Sequence, residues 1–107
     1  MKNIVYSVDE IRDIVAPIAK QHKVGKIFLF GSYAKGNANS NSDIDLRLEK
    51  GQLKGLLELG ALYADLEDHL EKKIDLLTTA SLSKDFLKNI ANEEILLYSS
   101  DYEPQKD

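Results

Sequence analysis

Phe30-Gly31-Ser32-Tyr33-Ala34-Lys35-Gly36 and, after a short loop, Ser42-Asp43-Ile44-Asp45-Leu46 are the two stretches that decide the fold of this chain. Residues 26–30 lead into the first stretch as an apolar run bounded by glycines, a pattern that predicts a strand buried on both faces. Residues 43–48 alternate strictly between polar and apolar side chains, which predicts a second strand with one face on the core.

The segment between these strands has the residues of a turn followed by a short helix. Gly31 ends the first strand, and Ser32 is expected to cap a helix over Tyr33–Lys35 that stops at Gly36. Backbone amides at the start of such a helix attract phosphate oxygens, and Lys35 adds a positive charge. The turn is therefore a candidate phosphate-binding site.

Carboxylates mark the second strand as the candidate site of chemistry. Its alternation places Asp43, Asp45 and Arg47 on one face. Two carboxylates so close repel each other unless both face water or share a divalent cation such as Mg²⁺. Asp75 lies in a third predicted strand, Ile74–Leu77, so three carboxylates could converge and hold two metal ions for in-line phosphoryl or nucleotidyl displacement. Arg47 is expected to neutralise them when no metal is bound.

The first helix is predicted to begin at Ser7, because Ser7 and Glu10 form a capping box that satisfies free backbone amides. Apolar residues then recur at helical spacing up to Ala19, and the helix ends before Gly25. Pro17 lies inside this pattern. A proline in a helix interior removes one hydrogen bond and costs about 3 kcal/mol, so we expect a kink or a break just before it.

The second half of the chain is predicted to contain two more helices, over residues 53–70 and 81–92. The segment Ile95–Tyr98 is either a last strand or a helix end, and residues 99–107 form a polar tail that we expect to be mobile. The element order predicts a single two-layer α/β (α+β) domain over residues 1–98. The core side of the leucine-rich helix is assigned to Leu53, Leu56, Leu57, Leu62, Tyr63, Leu66 and Leu70, and its remaining face is available to a partner.

Composition excludes several classes of function. The chain has 107 residues, 43% of them apolar and 30% charged, as in one ordinary globular domain. The net charge of −4 argues against direct binding of nucleic acid, and the absence of cysteine excludes thiolate metal sites and a cysteine nucleophile. We find no apolar run long enough to cross a membrane and no signal-peptide pattern at the N-terminus, so we expect a cytoplasmic protein.

Taken together, the motifs are far more specific than any one of them. Gly31-Ser32, ten intervening residues and Asp43-Ile44-Asp45 resemble the signature of the polymerase β nucleotidyltransferase superfamily. The fuller strings at 30–36 and 42–46 resemble the minimal nucleotidyltransferase (MNT) family of prokaryotes, and residues 72–77 resemble its third-carboxylate strand. The likeness covers residues 7–98. Lys35 stands where many relatives have arginine, which keeps the charge but loses the two-pronged hydrogen bonding of a guanidinium group.

The resemblance implies a mixed sheet with flanking helices, and transfer of AMP from ATP with the help of two Mg²⁺ ions. Family members of this size are commonly antitoxins whose partners are helical ribonuclease toxins of the HEPN family, and the acceptor is a tyrosine of the toxin. By the same resemblance, the catalytic and metal-holding residues are Asp43, Asp45 and Asp75, and the nucleotide-binding residues are Gly31, Ser32, Lys35 and Ser42.

Two other functions stay open at this stage. The first is a nucleotidyltransferase with a small-molecule acceptor, although such enzymes usually carry an extra acceptor domain for which 107 residues leave no room. The second is a binding module that neutralises its partner by contact without catalysis. Intact carboxylates argue against that alternative without excluding it.

Overall fold

Helices and strands alternate along residues 4–101, the part of the chain that the computed structural model describes. The connection from the third strand to the last helix contains one 3₁₀ turn, Thr79–Ser81. In chain order the elements are α1 (Val8–Gln21), β1 (Lys26–Phe30), α2 (Gly31–Lys35), β2 (Ile44–Glu49), α3 (Gly55–Leu70), β3 (Ile74–Thr78), α4 (Lys84–Ile90) and β4 (Ile95–Ser99).

The strands form one mixed sheet in the order β3-β2-β1-β4. β1 pairs antiparallel with β2 and with β4, whereas β2 pairs parallel with β3. The mixed sheet implied by the resemblance is therefore confirmed. Ile95–Tyr98, for which the sequence allowed two interpretations, is part of an edge strand.

The hydrophobic core lies between one face of this sheet and the two long helices, α1 and α3. Alternate strand residues point into it, as the alternation over residues 43–48 predicts, and the opposite sheet face carries the polar members of the same strands. The fully buried large side chains are Ile11, Val15, Val24, Ile27, Leu29, Ile44, Leu46, Leu48, Leu62, Leu66 and Leu70.

α1 confirms the predicted capping box and corrects the predicted break. Ser7 Oγ accepts the amide of Glu10 at 3.0 Å, and Glu10 Oε1 accepts the amide of Ser7 at 2.8 Å. The helix nevertheless runs unbroken through Pro17. Pro17 and Asp13, whose carbonyl loses its helical donor, are both exposed, so water can replace the missing bond.

α3 corrects the assignment of two leucines to the core. Leu56 and Leu57 are 85% and 89% exposed, whereas Leu62, about one and a half helical turns further along the chain, is fully buried. Successive helical residues are about 100° apart, so Leu57 lies about 140° from Leu62, and Leu56 lies about 120° from Leu62 in the other direction. Both leucines also belong to the first turn of α3, which begins at Gly55. Leucine content alone therefore misassigned them.

The last part of the chain differs from its prediction in two ways. α4 is shorter than the predicted helix and begins after Ser83, whose side chain accepts the amide of Phe86 at 3.1 Å. The predicted tail begins inside the sheet, because Ser99 belongs to β4 and the amide of Ser100 donates to Gly25 O at 2.7 Å. Residues 102–107 lie outside the described residues. Within 4–101, no helix is both long enough and apolar enough to span a membrane.

Candidate active site

The site is built around the contact between the end of β1 and the start of β2. Phe30 ends β1 and pairs with Asp45 of β2 in the antiparallel register. The chain then turns at Gly31, whose φ of +73° lies in the region that favours glycine. A Cβ atom on Gly31 would lie 3.0 Å from Cγ of Asp45 and would collide with its Oδ2. The Asp45 carboxylate therefore occupies the space that the missing side chain leaves.

Three carboxylates lie at this end of the sheet. Asp75 of β3 is the register partner of Asp45 across the parallel pair, and Asp43 immediately precedes β2. Burial, reinforced by the negative charges of Asp75 and Asp43, raises the pKa of Asp45 from 3.8 to about 6. Asp75 is exposed and Asp43 partly exposed, so the cluster has one inner carboxylate and two that face solvent.

The chemistry of these carboxylates fits a divalent cation. Within residues 4–101, no three acidic or histidine side chains are already gathered closely enough to form a metal site. However, the ionised form of Asp45 is disfavoured by burial and by two like charges, and a cation placed among them would offset both effects. Mg²⁺ is the cation that such oxygen ligands favour beside phosphates.

The predicted nucleotide-binding residues lie around the start and end of α2. Ser32 does not cap the helix as predicted: α2 begins at Gly31, Phe30 occupies the cap position, and Ser32 lies within the first turn. Gly36 ends α2 in the left-handed conformation, as predicted. Lys35 Nζ lies 3.8 Å from a carboxylate oxygen of Glu93, next to the start of β4.

Ser42 closes the loop that precedes Asp43. Its Oγ accepts the amide of Asn39 at 2.9 Å, while its own amide donates to Asn39 O at 3.0 Å. The hydroxyl therefore shapes the loop, and its predicted contact with a nucleotide stays a prediction.

Arg47 shares the sheet face of Asp45 but does not neutralise it. Instead, its Nε donates to one carboxylate oxygen of Glu94, and its Nη2 donates to the other at 2.9 Å. Its Nη1 donates to Thr79 Oγ1 at 2.7 Å. The guanidinium carbon also lies 4.1 Å from the centre of the Phe28 ring, a cation–π contact. The expected role of Arg47 is wrong because Glu94, 47 residues away in sequence, folds against the same strand.

Lys72 was missed by the sequence analysis. It is only 4% exposed, and its Nζ donates to Ile4 O and to Ser40 O, each at 2.9 Å. Ser40 belongs to the loop before Asp43, so this buried cation ties the loop to the N-terminal segment. Nothing distinguished Lys72 in the sequence from the neighbouring Lys73, which is exposed and lies 4.0 Å from Asp43 Oδ2.

Comparison with known proteins agrees with this geometry. The model of the family described as "Polymerase beta, Nucleotidyltransferase" matches residues 12–103. A protein of Methanocaldococcus jannaschii named "Putative protein adenylyltransferase MJ0435" is 37% identical over 89 residues, which cover 83% of this chain and 96% of that protein.

Solved structures share the fold. One chain of a toxin–antitoxin crystal structure with AMP-PNP superposes with a TM-score of 0.70 at 23% identity, covering 83% of this chain and 73% of its own. One chain of the complex between a tri-AMPylated HEPN toxin of Shewanella oneidensis and an MNT antitoxin gives a TM-score of 0.65 at 19% identity, covering 88% and 74%. The fold, the carboxylates and the extent of the family match agree: this chain belongs to the polymerase β nucleotidyltransferase family.

Proposed function

We propose that this protein transfers AMP from ATP to a hydroxyl group of a partner toxin of the HEPN family, and thereby acts as the antitoxin of the pair. The observation that carries the proposal is the Asp45 carboxylate, held against Gly31 at the start of α2 and opposite Asp75 in the sheet register. This juxtaposition places a metal-binding group beside a turn suited to phosphate. Transfer of a nucleotidyl group needs both in one place.

The three carboxylates would divide the work by position. Asp43 and Asp45 would hold both Mg²⁺ ions, and Asp75 would complete one metal site and orient the attacking hydroxyl. When bound, Mg²⁺ supplies charge neutralisation at the phosphates and lowers the cost of removing the proton of the hydroxyl. Asp75 suits this position because its exposed side chain faces solvent on edge strand β3, where an acceptor can approach.

The remaining predicted residues would bind the nucleotide. Gly31 and Ser32 would contact its terminal phosphates, with Lys35 and Ser42 at the two ends of the adjoining loop. The hydroxyl oxygen of the acceptor would form a bond to the α-phosphorus while the bond from that phosphorus to the bridging oxygen breaks. Pyrophosphate would leave, and the proton of the hydroxyl would pass to Asp75.

The partner is proposed from the relatives. A structural neighbour holds AMP-PNP in a toxin–antitoxin complex, and another contains a HEPN toxin that carries three AMP groups. A tyrosine is the acceptor that we propose, because its hydroxyl extends far enough from a folded surface to reach a site on an open sheet face. Each added AMP places a negative phosphodiester on the toxin, which disfavours the binding of RNA phosphates.

Intact-mass spectrometry of the product of the adjacent reading frame, co-expressed with this protein, tests the proposal. We expect one or more added AMP masses with the wild-type protein and none with Asp43→Asn. Adenylylation of small hydroxyl compounds, with no adduct on any co-purifying protein, would contradict a protein acceptor.

A further inference from the structure

The outer face of α3 carries the two most exposed large apolar side chains in the described part of the chain. Leu56 and Leu57 are 85% and 89% exposed, whereas the other exposed large apolar residues within 4–101 reach only 38–51%. A monomeric surface usually carries such residues singly, and neighbouring ones mark an interaction site. These two leucines are consecutive and nearly free of contact.

The apolar surface continues along the helix. Gly60, Ala61 and Ala64 are also exposed and lie on the same side as the leucines, one and two turns further on. Glu58 is the one charged residue exposed over 55–64, and its carboxylate turns back to accept the amide of Lys54 at 2.6 Å. The first half of the outer face therefore presents aliphatic atoms to solvent without a charged side chain across them.

The second half of the same face is acidic. Ala64, Glu67, Asp68 and Glu71 line an open hollow of about 320 Å³. Because the carboxylates of Glu67 and Asp68 border it, the charge that complements this hollow is positive. The outer face thus has two parts, an apolar one at the start of α3 and a negative one at its end.

We propose that the outer face of α3 is the docking surface for the partner protein, which presents an apolar segment ending in lysine or arginine. The apolar part of the partner covers Leu56 and Leu57, and its cationic end enters the hollow beside Asp68. The proposal rests on the proposed function for the identity of the partner. A toxin that acts on RNA needs a positively charged surface, and this acidic chain, with a net charge of −4, complements it.

The position of α3 explains how docking there serves the reaction. α3 leads directly into β3, the edge strand that carries Asp75, and Tyr63 Oη of α3 donates to Ile74 O at 3.4 Å. A helix of this length extends over about 24 Å. α3 covers the sheet face opposite the carboxylates, so a partner seated along it approaches the site around edge strand β3, and its anchor stays well away from the reacting hydroxyl.

The test compares a double aspartate variant with a single aspartate control and adds one charge reversal. Leu56→Asp with Leu57→Asp in one protein should weaken binding of the co-expressed partner at least tenfold, measured by calorimetry, and leave the binding of AMP-PNP unchanged. Leu96→Asp, at a leucine on β4 that is 44% exposed, is the matched control and should bind the partner normally. Asp68→Lys should weaken binding as well, because it reverses the charge beside the hollow.

Partner binding that survives Leu56→Asp with Leu57→Asp, or that falls equally in the Leu96→Asp control, would overturn the docking surface. Self-association of the wild-type protein that the double substitution abolishes would overturn it too, since a second copy would then cover the leucines. Partner binding by the wild-type protein without any AMP transfer would overturn the proposed function and leave the docking surface standing.

Discussion

Gly31 and Asp45 are fitted to each other: the carboxylate of Asp45 lies where a side chain on Gly31 would begin. Two separate features favour glycine at position 31. Its φ of +73° disfavours other residues, and any Cβ atom there would lie 3.0 Å from Cγ of Asp45. The turn at the end of β1 and the inner carboxylate of the site therefore form one unit. A change in either residue alters the other.

Gly31→Ala should lower both the stability and the activity of the protein. We expect a loss of more than about 2 kcal/mol in the free energy of unfolding, since the collision adds to a strain of about 1–2 kcal/mol from the positive φ. Gly36→Ala is the matched control, because Gly36 has a φ of +80° but no atom within 4 Å of an added Cβ. Urea unfolding of both variants measures the difference, and equal losses would contradict the collision.

Asp45→Asn should stabilise the protein in the absence of metal, and only above acidic pH. The pKa of Asp45 is raised to about 6 in the folded state, so the folded protein binds this proton more tightly than the unfolded chain. Stability is therefore lost as pH rises from about 4 through 6, and asparagine removes that loss. After allowance for solvent screening, we expect a gain of about 1 kcal/mol at pH 7.5 and none below pH 3.5.

Urea unfolding in EDTA at both pH values measures this effect, with the exposed Asp85→Asn on α4 as the control. The same Asp45→Asn protein should transfer no AMP in the presence of Mg²⁺. Transfer near the wild-type rate would contradict the metal-holding role of Asp45.

Removing Arg47 should destabilise the fold more than removing an exposed cation. Arg47→Met leaves the carboxylate of Glu94 buried without its partner, which typically costs about 3–5 kcal/mol. Arg47→Met combined with Glu94→Leu should recover most of that loss, because no unpaired charge remains. Lys26→Met removes an ion pair with the exposed Asp101 and should cost less than about 1 kcal/mol. Thermal and urea unfolding of these three variants measure the losses. A double variant less stable than Arg47→Met alone would contradict the role of the buried pair.

Ser32→Ala should weaken nucleotide binding and leave stability nearly unchanged. Because Ser32 is not the helix cap, its removal should alter the free energy of unfolding by less than about 0.5 kcal/mol. The loss of one hydrogen bond to a charged phosphate should weaken AMP-PNP binding by about 1–2 kcal/mol. Calorimetric titration measures the second quantity, and unchanged affinity would contradict the phosphate-binding role.

The sequence by itself determined the elements that depend on near neighbours. The alternation over 43–48 placed Asp43 and Asp45 on the face away from the core, because side chains of a strand alternate between its faces wherever it pairs. The capping box at Ser7 and the stop at Gly36 are likewise local, since each depends on backbone groups within a few residues. The apolar pattern around Asp75 likewise indicated a third strand with a carboxylate, and the resemblance added the mixed sheet.

Tertiary structure alone decided which distant groups meet. Arg47 pairs with Glu94, and not with the site carboxylates, only because the turn before β4 brings Glu94 against Arg47 of β2, although β1 lies between these two strands. Lys72 is buried because two separate loops bring backbone carbonyls to its ammonium group. The packing of α3 on the sheet leaves Leu56 and Leu57 of its first turn in solvent, since burial depends on where a residue lies relative to the core and not on how apolar it is.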